Sequence, residues 1–185
     1  MVQGLPAIKG VNKLCNGCLI GKQRRTPFSS QAFYRTDEPL ELVHGDIRGP
    51  IKPATPGGKT LFLLLVDDKS RFMWLILLQA KNEAAEAVKR IQARAKAECG
   101  MKMRVLRIDR GGEFTSTSFG KYCAEFGIQR HLTAPYCPQQ NGVVERQNQT
   151  IIGTVRSLMM TARMPERFWG EAVMTAVYLL NRSPT

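Results

Sequence analysis

Three acidic residues stand where carboxylates can carry chemistry. Asp46 lies near the end of an apolar run that breaks at Gly49 and Pro50. Asp109 closes another such run just before Gly111 and Gly112, and Glu145 follows Gly142 in the first turn of a helical pattern. Strands that hand over to glycine-containing turns mark the edge at which open α/β sheets place their sites. Thirty-five residues lie between Asp109 and Glu145, a spacing that carries little weight by itself among 15 acids. Carboxylates gathered at one edge repel unless a cation neutralises them, and hard oxygen ligands select Mg²⁺ or Mn²⁺. Two such ions about 3.5–4 Å apart activate an attacking oxygen and stabilise the leaving one in phosphodiester chemistry. Asp67 and Asp68 compete with Asp46 for the first role, but they stand in a short link between two apolar runs, where Asp serves a turn. Glu113 reads as a helix cap or a solvent-facing acid.

Composition points to the partner. The 185 residues carry 27 Lys and Arg against 15 Asp and Glu, a net charge of +12. That excess suits a polyanion, nucleic acid ahead of an anionic membrane surface. Arg146 and Arg156, on the helix that begins near Glu145, are candidates for phosphate contact, and Tyr136 for stacking on a base. Lys22, Arg24 and Arg25 form a further basic cluster. No apolar run approaches the 18 residues of a membrane helix, and the first 30 residues lack an apolar leader core. Five cysteines form no disulfide framework, so a reducing, intracellular setting is expected. Cys99, Cys123 and Cys137 read as small apolar fillers.

The elements that must position the acids alternate between strand and helix. Residues 41–47, 60–67 and 72–78 read as strands, the second almost wholly apolar and therefore buried on both faces. The link from Asp67 to Ser70 is short enough for an antiparallel hairpin. A helix is expected over residues 83–99, with Asn82 as N-cap, acids early, basic residues late and Gly100 as the stop. Residues 103–108 and 128–132 read as the fourth and fifth strands, separated by a short helix over 117–126. After a loop over 133–142, Val144, Asn148, Ile151, Val155, Leu158 and Ala162 recur at helical spacing. Pro165 suits the first turn of a last helix bearing Trp169, Val173, Ala176 and Leu180. The class is α/β, a mixed five-stranded sheet flanked by helices. Residues 1–37 form a tail, and 38–185 form the body.

The residues now match a family. The segment from Thr133 to Asn148, TAPYCPQQNGVVERQN, resembles the catalytic-glutamate motif of retroviral-type integrases, most closely those of copia-type LTR retrotransposons. His44 to Pro50 (HGDIRGP) and Arg107 to Phe114 (RIDRGGEF) resemble the segments that hold that family's two aspartates. Phe168 to Val173 and Asn181 to Pro184 resemble the stretch after the core. The resemblance implies an RNase H-like fold and a D,D(35)E triad of Asp46, Asp109 and Glu145 that binds Mg²⁺ or Mn²⁺. It implies DNA integration by 3′-end processing and strand transfer, a nuclear location, DNA ends and target DNA as partners, and a homo-oligomer in the full integrase.

Cys15 and Cys18 resemble the cysteine half of the family's pre-integrase zinc module, which makes residues 1–37 the remnant of that module. Zinc needs four ligands, and the only histidines, His44 and His131, lie downstream and read as structural or near-site groups. A chain that begins at Met1 without the histidine half is expected to be a truncated product. Three positions depart from the pattern: Arg110 where the family usually has Asn, Cys137 where it has Thr or Ser, and Gln149, itself a candidate for DNA binding one turn beyond Glu145, where a basic residue is common. Arg110 is expected to compete for the charge of Asp109. The alternative reading is accordingly a non-catalytic, nucleic-acid-binding remnant with the same fold. The integrase reading demands that Asp46 and Asp109 lie on neighbouring strands, that Glu145 approach from the start of the long helix, and that crowding raise at least one carboxyl pKa.

Overall fold

A computed structural model describes residues 36–133 and 141–183. Its strands are β1 (Leu42–Arg48), β2 (Leu61–Asp67), β3 (Met73–Leu78), β4 (Val105–Ile108) and β5 (Gln129–Leu132). Its helices are α1 (Ala84–Cys99), the single turn α2 (Gly112–Thr115), α3 (Thr117–Glu125), α4 (Gly142–Thr161) and α5 (Trp169–Leu180). The sheet order is β3-β2-β1-β4-β5. The first three strands form an antiparallel meander, while β4 and β5 run parallel to β1. The expected mixed five-stranded sheet is therefore present, with β1 at its centre.

Strand alternation divides the core in two. Leu61, Leu63 and Leu65 face α1, α2 and α3, meeting Ala87, Val88, Ile91, Phe114 and Phe119. Phe62, Leu64 and Val66 face α4 and α5, meeting Val144, Ile151, Val155, Trp169 and Val173. Every residue of β2 is buried, which is why its sequence shows no polar alternation. Cys123 is a buried free thiol within the first layer, the filler expected of it. Among the described residues no helix is long and apolar enough to cross a membrane.

Asp67 and Asp68 hold the β2–β3 hairpin in place. Asp67 accepts hydrogen bonds from the Ser70 amide at 2.7 Å and hydroxyl at 2.6 Å, and from the Leu40 amide at 2.7 Å. Asp68 accepts from Arg71 at 3.2 Å and lies 3.1 Å from Nε2 of buried His44. Both acids are buried and occupied, which leaves Asp46 as the candidate for the first acid.

Two helix starts differ from expectation. Asn82 does not cap α1, because a 3₁₀ turn over Lys81–Glu83 precedes the helix and Glu83 takes the cap position without a side-chain bond. Pro165 lies outside α5, before another 3₁₀ turn, Glu166–Phe168. In both places the chain tightens into i→i+3 bonding before it relaxes into a helix. Gly100 ends α1 as expected, in the left-handed conformation at φ 71°.

Gly45 is fixed by packing. A Cβ there would lie 2.8 Å from Ile108 Cγ2 and 2.8 Å from Leu65 Cδ2, the two side chains that close over β1 next to Asp46. Gly45→Ala is expected to lower unfolding free energy by about 1–3 kcal/mol, because the neighbours are themselves fully buried. Urea denaturation checks it, and a stability equal to the parent would show that the layer yields without cost.

Candidate active site

Asp46 and Asp109 meet through strand register. β1 and β4 are parallel neighbours, with His44 paired to Arg107. Two residues further along each strand, Asp46 stands level with Asp109, which follows directly on the last residue of β4. Residues level on adjacent parallel strands, about 4.8 Å apart, point to the same face. Here it is the face that α4 and α5 cover over β1 and β2. The Gly111 amide donates to Asp109 Oδ1 at 3.1 Å, so the glycine turn holds this exposed carboxylate.

Glu145 arrives on α4, and two asparagines fix where that helix lies. Asn141 occupies the cap position yet makes no cap bond. Its Nδ2 instead donates 2.9 Å to the carbonyl of Gly45. Two turns later Asn148 Nδ2 donates 2.7 Å to Asp46 Oδ2. Residues 141, 145 and 148 share one helical face, so Glu145 sits between the two attachments. Val144, Ile151 and Val155 continue the same face into the apolar layer on Phe62 and Leu64.

Charge crowding follows. The Asp46 carboxyl pKa is pushed up from 3.8 to about 6, first by burial and then by the negative charges of Asp109 and Glu145. The Ile47 amide and Arg48 pull it partly back. Both other acids are therefore felt at Asp46, as the sequence reading required. Asp46, Arg48, Glu145, Asn148, Gln149 and Arg156 line a groove of about 440 Å³.

The remaining expected site residues divide. Gln149 and Arg156 lie in the groove, whereas Arg146 is exposed on α4 outside its lining. Cys15, Cys18, Tyr136 and Cys137 lie outside the described residues. Arg110 does not compete for Asp109. Its Nε donates 3.1 Å to the Thr133 carbonyl, and no ion pair joins it to Asp109 among the described residues. His44 is buried against Asp68, and burial holds its pKa below the usual 6.5. His131 is exposed on β5 opposite Arg107.

Among the described residues no three His, Cys, Asp or Glu side chains are closed around a point where a metal ion could sit as they stand. The donor chemistry nevertheless fits a hard divalent cation, because burial and the negative charges of two further carboxylates together push Asp46 toward protonation. Sequence reasoning missed Asn141 and Asn148 as attachments. An Asn within an otherwise apolar helical stripe was the available signal, since a buried amide needs a partner. It also passed over Arg48, two residues beyond Asp46.

The sheet order and the acid cluster define an RNase H-like core. The fold superposes with a TM-score of 0.67 on a chain of the simian T-cell lymphotropic virus intasome, solved in complex with PP2A regulatory subunit B56 gamma. That match has 20% identity and covers 83% of this chain and 52% of the other. Residues 36–138 match the integrase core domain family, and the chain belongs to it. The matched region contains Asp46 and Asp109, and Glu145 lies beyond it. The chain is 43% identical over 173 residues to the retrovirus-related Pol polyprotein from transposon TNT 1-94 of Nicotiana tabacum. It is 30% identical over 172 residues to that from transposon RE1 of Arabidopsis thaliana. These alignments cover 94% and 92% of this chain but only 13% and 11% of the polyproteins. The copia-type resemblance is borne out.

Asp46→Asn is expected to stabilise the metal-free protein at pH 7.5. A carboxyl whose folded pKa is about 6 against 3.8 is charged at that pH at a cost to the fold, a cost relieved as pH falls through 6. Removing the charge should add on the order of 1–3 kcal/mol at pH 7.5 and much less at pH 4. Urea melts at the two pH values check it. Equal stability of parent and variant at pH 7.5 would mean that burial and the neighbouring acids do not disfavour the charge on Asp46.

Proposed function

We propose that this chain is the catalytic core of a copia-type integrase and carries out divalent-metal-dependent 3′-end processing and strand transfer on DNA. The observation that carries the reading is the level placement of Asp46 and Asp109 on adjacent parallel strands, with Glu145 held against them by α4. Asp46, Asp109 and Glu145 would hold Mg²⁺ or Mn²⁺. When bound, such ions supply Lewis-acid activation of an attacking oxygen and charge stabilisation at the leaving one. Asn148 fixes one oxygen of Asp46. Gln149 and Arg156 line the approach to the acids, and Arg146 adds exposed charge nearby. DNA ends and target DNA are the partners this reading assigns. The family resemblance adds nuclear residence and an oligomer in the longer polyprotein-derived enzyme.

Glu145→Gln keeps size and helix propensity and removes one carboxylate. Strand transfer with Mn²⁺ and short duplex ends should drop by at least about 100-fold, while DNA affinity stays the same or rises slightly. Joining activity within a few-fold of the parent would exclude Glu145 from the machinery.

DNA binding itself should be sequence-tolerant and steeply salt-dependent. The slope of log K against log[salt] is expected near −0.9 for each phosphate neutralised on duplex DNA. Fluorescence anisotropy across a salt series reads it, and a flat response would argue against phosphate contact.

A further inference from the structure

On the face of the sheet opposite the acids, a groove of about 440 Å³ lies between α1 and α3. Its apolar wall is Ala93 of α1 with Tyr122 and Phe126 from the end of α3. Phe126 packs on Tyr122 with ring centroids 4.6 Å apart and still leaves 43% of its surface exposed. A large aromatic left so open in a groove is surface that a partner can cover. The rim is cationic, with Lys89, Arg90 and Lys96 of α1. Lys89 is spent within the protein, because its Nζ lies 3.2 Å from Glu86 Oε2 and 5.2 Å from the centre of the Tyr122 ring. Arg90 and Lys96 are exposed and form no ion pair with a described residue. Gln92 also lines the groove, only 2% exposed. Its Oε1 accepts from the Met103 amide at 3.2 Å, and its Nε2 has no partner among the described residues. A buried donor without an acceptor is uncommon in a folded protein.

The rings decide the class of occupant. A nucleic-acid base needs an open ring face on which to stack. Tyr122 offers none, because Lys89 lies over the ring and Phe126 packs against it. An apolar side chain needs only contact area, which Ala93 and Phe126 supply. The free guanidinium and ammonium at the rim suit carboxylates, with which they form charge-assisted hydrogen bonds. An apolar groove between two helices with a charged rim is a shape that peptides fill with anchoring side chains.

We propose that the α1–α3 groove docks a short acidic segment of another protein. One apolar side chain of that segment rests on Ala93 and Phe126, and its carboxylates meet Arg90 and Lys96. The inference does not depend on the reading of the acids. The groove lies on the other face of the sheet, so a partner seated there leaves the acid groove open.

The test uses the full chain and labelled peptide pools of about seven residues, with Leu or Phe at the centre and Asp or Glu around it. One control pool carries Asn and Gln in place of the acids, and the other carries Ala at the centre. Anisotropy at moderate salt should show the acidic, apolar-centred pool bound about tenfold more tightly than either control. Phe126→Ala should remove about tenfold of that affinity. Arg90→Glu combined with Lys96→Glu, both on the exposed side of α1, is the second variant should the first fail to fold, and at least the same loss is expected of it. Equal affinity for the three pools, or a preference that survives in the folded double variant, would overturn the proposal. So would a short single-stranded oligo-dT that binds more tightly than the peptides and is weakened by Phe126→Ala, since the groove would then serve nucleic acid. Glu145→Gln should keep the peptide preference while it loses joining, so docking and joining report on separate sites.

Discussion

Crowded negative charge at Asp46 is the constraint on which the rest of this structure turns. The carboxylate is half-buried, and its burial together with the charges of two other acids raises its pKa to about 6. Left to local forces, β1 would relax away from such a position. It is held because β1 is the central strand, bonded antiparallel to β2 along Val43–Arg48 and parallel to β4 along Leu42–His44. A strand paired on both sides cannot shift by one residue without turning Asp46 into the opposite apolar layer. The two-sided core therefore holds the repulsion in place, and that is the stability–function conflict expected of a charged site.

The same logic explains how Glu145 is placed. Its distance from Asp109 along the chain sets only the reach of the connection. Its position in space follows from α4, whose stripe of Val144, Ile151 and Val155 packs on β2 and whose two asparagines attach to β1. Each attachment uses one donor of an amide whose oxygen has no partner among the described residues. Burying such a half-satisfied amide costs free energy. Retaining two of them on one helix face makes sense only if their donors set the angle and height of the helix. Apolar packing alone is tolerant of a small slide along the groove, and a hydrogen bond of 2.7 Å to Asp46 is not.

Much of this was legible in the sequence because it rests on local pattern. The continuous apolar run of β2, the hairpin acids, the glycine stop of α1 and the helical recurrence of α4 each reflect interactions among near neighbours. Helix starts were less legible. Asn82 and Pro165 carry the right chemistry for caps, but a 3₁₀ turn moves each true start downstream. The clamp was legible least, since Asn141 and Asn148 find their partners 96 and 102 residues away. Arg110 failed for the same reason. Its sequence neighbour is Asp109, but the acceptor it reaches is the Thr133 carbonyl on the chain leaving β5. A second groove beside the site is formed by the β1–β2 connection, α4 and α5 together, and no single segment announces it.

On the proposed reading, a chain of net charge +12 with acids in its candidate site presents a strand of phosphates with two opposed fields. At long range the excess of Lys and Arg draws the polyanion in, weakened by salt beyond about one Debye length of 8–10 Å. At short range Asp46, Asp109 and Glu145 repel it. Arg48 and Arg156 stand where the two fields meet, on the edge common to both grooves. Neither is paired to an acid of the site. An arginine that did pair with Asp46 would hold that carboxylate ionised and cancel the attraction for phosphate at once. Arg48 lowers the Asp46 pKa less than burial and the two acids raise it, and it lines both grooves. Arg48 and Arg156 line one groove with Asp46 and Glu145, so on the proposed reading one short stretch of surface both attracts a strand and stops it beside the acids.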